Sequence, residues 1–165
     1  MVITFGVGLT GNQYLGASNN YAYGQNFLVV AGSTYCSTVT FGFKKSSTTS
    51  PSITCSLYSA DVNGKPTGSA LATNIQTPTL TSGYQDVTFT MGVNLTAASK
   101  YIFVVTCSDV YLGSSSGNTY SDGFYLHQAT SGGAWTSDTP NDLYGNTLMV
   151  SPQSPTNASF FFLMV

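Results

Sequence analysis

Along this chain apolar residues recur at every second position, in short runs separated by Gly, Pro, Asn and Ser. That is the period of a pleated strand, whose successive side chains point to opposite faces. Val87-Thr88-Phe89-Thr90-Met91 is the cleanest case, with two threonines set against three apolar side chains. Val39-Thr40-Phe41-Gly42-Phe43 and Ile53-Thr54-Cys55-Ser56-Leu57-Tyr58 repeat the pattern, and another run holds Phe27 and Val29. Tyr101 to Cys107 is almost continuously apolar, as expected of a strand covered on both faces. Later runs fall near Gly123 to Gln128, Thr147 to Val150 and Ser159 to Met164. No stretch keeps the i, i+3, i+4, i+7 apolar spacing over three turns, so no substantial helix is predicted.

Roughly eight to ten short strands without a helix to cover them admit two arrangements: two sheets packed face to face, or one sheet closed on itself. The connections are long and uneven, which suits Greek-key or jelly-roll wiring better than an up-and-down barrel. Asp61-Val62-Asn63-Gly64-Lys65-Pro66 reads as a turn, in which Asn-Gly supplies positive φ and the proline interrupts the ladder. No linker and no internal repeat divides residues 1–165. The expectation is one domain, an all-β, jelly-roll-like two-sheet sandwich.

Composition narrows what such a domain could do. Only 6% of the 165 residues are charged, 4 of them basic and 6 acidic, for a net charge of −2, against about 25% in an ordinary soluble domain. There is no Arg and no Glu, and Ser, Thr and Asn fill about a third of the chain. Four lysines cannot form the basic footprint that nucleic-acid binding needs, so no nucleic-acid partner is expected. No apolar run approaches the roughly 18 residues of a membrane span. Met1 to Val7 lacks the basic leader and apolar stretch of a signal peptide. The expectation is a chain exported inside an assembly or one whose leader has been removed. Cys36, Cys55 and Cys107 show no metal-ligand spacing, and alternation places Cys55 and Cys107 in the core as small apolar residues.

The segment Cys55 to Ala72, with Leu57-Tyr58 before Asn63-Gly64-Lys65-Pro66 and then Leu71-Ala72, resembles the choice-of-anchor type β-sandwich modules of bacterial surface and phage-related proteins. Val93 to Tyr101, following Val87 to Met91, is similar to the family's entry into a central strand. Gly132-Gly133-Ala134-Trp135-Thr136 and Asn141-Asp142-Leu143 are similar to its Gly-x-Trp and Asp-Leu elements. The resemblance covers about Gln25 to Leu143 and departs at Tyr144 to Thr156, which looks inserted. It implies a jelly-roll-like presentation or adhesion module without catalytic residues.

The residues themselves offer little for catalysis. His127 is the only histidine, and alternation sets it on a strand face in phase with Tyr125, as a cross-strand or surface residue. Neither a Gly-x-Ser-x-Gly elbow nor an HExxH pattern occurs, and the six isolated Asp suggest no carboxylate pair. The expectation is that the chain is not an enzyme and holds no cofactor, except that Asp109, Asp122, Asp138 and Asp142 could supply oxygen ligands to calcium. The same four residues fit ordinary turns. Trp135, Tyr120, Tyr111 and Tyr144 could gather in loops at one end and stack on pyranose rings, although an interface is rich in the same side chains. Six apolar residues close the chain, and alternation turns Phe161, Leu163 and Val165 away from the core and towards an oligomer interface.

Low charge and uncovered terminal strands point first to a non-catalytic structural subunit of a virion, such as a decoration, fibre or minor capsid protein. It would form a trimer or larger homo-oligomer and contact other virion subunits. The alternative is a carbohydrate-binding or adhesin module of an extracellular or cell-surface protein, with surface glycans as its partners.

Overall fold

Among the described residues each alternating run contributes a strand, because its β-branched and aromatic residues fit a pleated, half-buried surface. The computed structural model describes residues 1–16, 21–117, 119–137 and 141–152. Its strands are β1 (Val2–Thr4), β2 (Gly11–Gly16), β3 (Ala22–Leu28), β4 (Tyr35–Lys45), β5 (Ile53–Ala60), β6 (Pro66–Gln76) and β7 (Gln85–Asn94). They continue with β8 (Lys100–Thr106), β9 (Asp109–Ser115), β10 (Tyr125–Gln128), β11 (Trp135–Ser137), β12 (Asp142–Leu143) and β13 (Gly145–Val150). No helix occurs among the described residues. The strands beyond the expected eight to ten include pieces of two or three residues, β1, β11 and β12, too short to show a period.

Two antiparallel sheets result. One has seven strands, with β1, β13, β4, β9 and β12 in order and β2 and β7 added on β9 and β4. The other has six, in the order β11-β10-β3-β8-β5-β6. Between β2 and β10 the chain changes sheet at every connection except the β5–β6 hairpin. This is the jelly-roll-like sandwich that the uneven connections predict.

The core lies between the sheets. Phe5, Phe27, Phe41, Phe43, Phe89 and Phe103 are wholly buried. Phe27 and Phe103, on neighbouring strands, stack at 4.8 Å, and Phe41 of the opposite sheet meets Phe103 edge-on at 6.2 Å. Cys36 and Cys55 are buried here as free thiols, and burial pushes Cys36 up to about 11 against the weaker, opposing effect of the Thr147 hydroxyl. Cys107 departs from expectation: it follows the end of β8 and is only partly buried.

One clamp ties the sheets together at an end. The wholly buried Asp142 accepts hydrogen bonds from Gln25 Nε2 at 3.0 Å and from the Tyr120 amide at 2.9 Å. Gln25 Oε1 in turn accepts from the Leu143 amide at 2.7 Å. Asp138, the run Ser159 to Met164 and the expected interface residues Phe161, Leu163 and Val165 lie outside the described residues.

Candidate functional site

β8 explains where a site can form. Tyr101, Phe103 and Val105 point into the main core, while Ile102 and Val104 point out of the sandwich and are nevertheless buried. They form a second, smaller apolar cluster with Ala22 and Leu126 on the outer face of the six-stranded sheet, flanked by Tyr58, Ala60, Phe124 and Trp135. Something must rise above the sheet on both sides to cover them. On one side stands the short β11 with Trp135, and on the other the β5–β6 hairpin with Tyr58 and Pro66. Gly64, at φ 75°, lets the turn of that hairpin press onto Asn26: a Cβ there would fall 2.0 Å from Asn26 Nδ2. The turn holds its shape through Asp61, whose carboxylate accepts from the amides of Asn63 and Lys65 at 2.8 and 2.9 Å.

Between these walls lies a groove of about 400 Å³. The strand register sets its floor. One row across the sheet reads Trp135, Gln128, Ala22, Thr106, Thr54, and the next reads Leu126, Gly24, Val104, Ser56. The small Ala22 keeps the floor low, the Ile102 side chain fills the space above Gly24, and the hydroxyls of Thr54, Ser56 and Thr106 stand along the floor. Gln128 Nε2 donates to the Gly133 carbonyl at 2.6 Å, which fixes the amide beside the indole. Tyr21, 43% exposed, closes one end. No charged side chain lines this groove. Beyond Trp135 a shallower depression continues past Phe124 to Asn63 and Lys65.

An uncharged trough with aromatic walls and a hydroxyl-lined floor has a definite chemistry. Ring faces bind the apolar C–H faces of a flat, polar molecule, and fixed hydroxyls and amides select its orientation. A strongly charged ligand would find no counter-charge in the groove.

The sequence-predicted aromatics are not brought together. Trp135 belongs to this groove. Tyr120 plugs the edge of the core instead, meeting Phe5 at 5.9 Å while its hydroxyl accepts from the Leu28 amide at 3.0 Å. Tyr111 and Tyr144 lie on the opposite sheet: Tyr111 packs on Tyr14 at 5.4 Å and under the Lys44 ammonium, 5.1 Å from the ring centre. Sequence reasoning missed Tyr58 and Tyr21.

The acidic candidates are separate too. Asp109 accepts from the amides and hydroxyls of both Ser47 and Thr48 and from the Tyr14 hydroxyl. These bonds, the Ser47 hydroxyl foremost, hold its carboxyl well below the usual carboxylate range. Asp142 is spent on the clamp between the sheets, and burial raises its pKa despite the bonds that it accepts. Asp122 sits in an exposed turn. Among the described residues no three His, Cys, Asp or Glu side chains come together to hold a metal ion. His127 lies beside Tyr23, with ring centres 6.1 Å apart.

No protein-family model matches the chain, and no curated protein matches it. Among the solved structures similar to it are two. One contains the cysteine protease and lectin-like domains of Cwp84, a surface layer associated protein of Clostridium difficile, at 14% identity and a TM-score of 0.56 over 85% of this chain and 36% of that one. The other is CsCBM6-3 from Clostridium stercorarium in complex with cellobiose, at 18% identity and a TM-score of 0.40 over 79% of this chain and 94% of that one. The first likeness bears out the two-sheet fold, and the chain spans about a third of that neighbour's length.

Proposed function

We propose that this chain is a non-catalytic carbohydrate-binding module of an extracellular or cell-surface protein. The observation that carries the reading is the groove on the six-stranded sheet: Trp135 and Tyr58 in its walls, Thr54, Ser56, Thr106 and Gln128 at its floor, and no charge among its lining residues. A pyranose has the matching surface, with C–H faces for the rings and hydroxyls at its rim for the floor. The groove continues past Trp135, so the ligand is a chain of several neutral sugars rather than one terminal unit. The fold-level likeness to a structure that includes a lectin-like domain and the resemblance to choice-of-anchor modules support the same reading. The virion-subunit expectation gains nothing comparable, since its interface residues lie outside the described residues.

The test is affinity electrophoresis through neutral polysaccharides, both α- and β-linked, followed by calorimetry with oligosaccharides of two to six units. Wild type is retarded, and Trp135→Ala loses up to about tenfold in affinity, the upper end of the ~0.5–1.5 kcal/mol that a ring contact contributes. Unchanged binding by Trp135→Ala, with its sheet circular dichroism intact, would overturn the assignment of the groove.

A further inference from the structure

The seven-stranded sheet carries an unassigned cavity on its own outer face, of about 230 Å³. Its geometry follows from register. Val87 and Phe41 point inward, so Asp86 and Gly42, paired across β7 and β4, point outward. Gly42 leaves a hole in the sheet surface, and the ring of Tyr144 fills it: a Cβ on Gly42 would meet Tyr144 Cδ1 at 2.7 Å. The backbone of Tyr144 fastens it there, its amide donating to the Gly113 carbonyl at 2.9 Å and its carbonyl accepting from the Gly42 amide at 3.3 Å. One step along, a row of polar side chains crosses four strands as Thr88, Thr40, Asn146 and Thr4. Thr40 and Thr88 share a hydrogen bond of 2.8 Å between their hydroxyls.

The result is a fixed aromatic ring with an acidic and an amide side chain beside it. Among the described residues, neither the Asp86 carboxylate nor the Asn146 amide makes a side-chain hydrogen bond. No cation lines the cavity, and the acidic residue there disfavours an anion. A carboxylate accepts from two neighbouring hydroxyls at once, and an amide both donates and accepts. Vicinal hydroxyls on a ring with an apolar face match that set.

We infer that the cavity formed by Tyr144, Asp86, Asn146 and Thr40 is a second saccharide site, for one neutral hexose or pentose unit with vicinal hydroxyls. It shares no residue with the groove of the opposite sheet and does not depend on it. With both occupied, the module is bivalent and can bridge two polysaccharide chains, so its avidity on a surface exceeds the affinity of either site.

The experiment uses the whole chain carrying Trp135→Ala, which weakens the groove, titrated with neutral gluco-, xylo- and manno-oligosaccharides while amide NMR signals are followed. Glucuronate oligosaccharides serve as the charged control. The expected result is that signals of Gly42, Gly145 and Asn146 shift on adding a neutral sugar, while those of Ala22 and Thr106 in the groove respond only at about tenfold higher sugar than in wild type. Adding Asp86→Ala, an exposed position with no packing role, weakens that response about tenfold or more, the loss expected of a charge-assisted pair of hydrogen bonds. Wild type then cross-links polysaccharide-coated beads, and either single variant does not. If no sugar of the panel shifts the Gly42 and Gly145 signals, or if Asp86→Ala leaves the response unchanged, the second site is overturned. The Ala22 and Thr106 signals of the wild-type protein report the groove separately, so failure of one site is distinct from failure of the other.

Discussion

The two outer faces of the sandwich are built from the same kind of strand and end up unlike. On the seven-stranded sheet the outward positions of β4 and β7 are threonines, Gly42, Lys44 and Asp86, and solvent or a tyrosine ring meets them directly. On the six-stranded sheet the outward positions of β8 are Ile102 and Val104, which the fold covers with Trp135, Phe124 and the β5–β6 hairpin. Apolar residues on an outer face force walls to rise around them, and walls make a groove. Polar residues on the other face need no cover, and the recess there is a smaller one beside Tyr144, whose ring fills the gap at Gly42.

The strongest way to break the contrast is to remove the hidden cluster. Ile102→Ala empties a site with no exposure and is expected to cost about 2–5 kcal/mol, whereas Thr88→Ala on the other face should change stability by no more than about 0.5 kcal/mol. Urea unfolding followed by tryptophan fluorescence and circular dichroism measures both. Equal effects would mean that the outer face of the six-stranded sheet is not a second core.

A pH series sharpens the contrast in another way, because two carboxylates respond with opposite sign. The pKa of Asp109 is lowered by its hydrogen bonds, so the stability that it contributes is present above its unfolded value and is lost as pH falls through the folded one. Asp109→Asn should therefore flatten the acid limb of the stability curve. Burial raises the pKa of Asp142, so its contribution is complete below the unfolded value and is lost as pH rises through the folded one. Thermal melts across the mildly acidic range should show wild type gaining less with rising pH than Asp142→Asn does.

The smallest effect concerns the thiols. Cys36 and Cys55, buried and raised in pKa, should resist alkylation in the native protein, and Cys107 should react slowly at its partly exposed position. Mass spectrometry after a timed iodoacetamide pulse reads the order. Fast labelling of Cys36 would place it outside the core.

Most of the sandwich is legible in the sequence because burial on one face enforces a strict period of two, as in Val87 to Met91. The nearly continuous apolar stretch Tyr101 to Cys107 even announced a strand covered twice, which holds for Tyr101 to Val105. What it could not announce was the cover. Tyr58 and Trp135 stand 77 positions apart and face one groove only because β5 lies on one side of the β3–β8 pair and β10 and β11 on the other, a fact of topology rather than of local pattern. The usable signal for Tyr58 was its outward phase beside Thr54 and Ser56, next to a strand whose outward residues are apolar. The four aromatics expected at one end were grouped by sequence proximity, and a chain that changes sheet at most connections scatters sequence neighbours over opposite faces. Asp142 reads as a turn residue for a similar reason, since Gln25, its partner, lies 117 positions away.

That repeated crossing also governs how the molecule assembles. Neither sheet is a contiguous piece of chain, so neither can form while the other waits. Almost every pairing closes a long loop before it is rewarded, and topologies of this kind fold on the scale of milliseconds to seconds. Groove and tyrosine recess are therefore made in a single cooperative event and lost in the same one. On the proposal of two saccharide sites, a sugar held on either face would raise the free energy of unfolding. Occupancy of one face would thus be felt as thermal resistance on the other, with no movement passing between them.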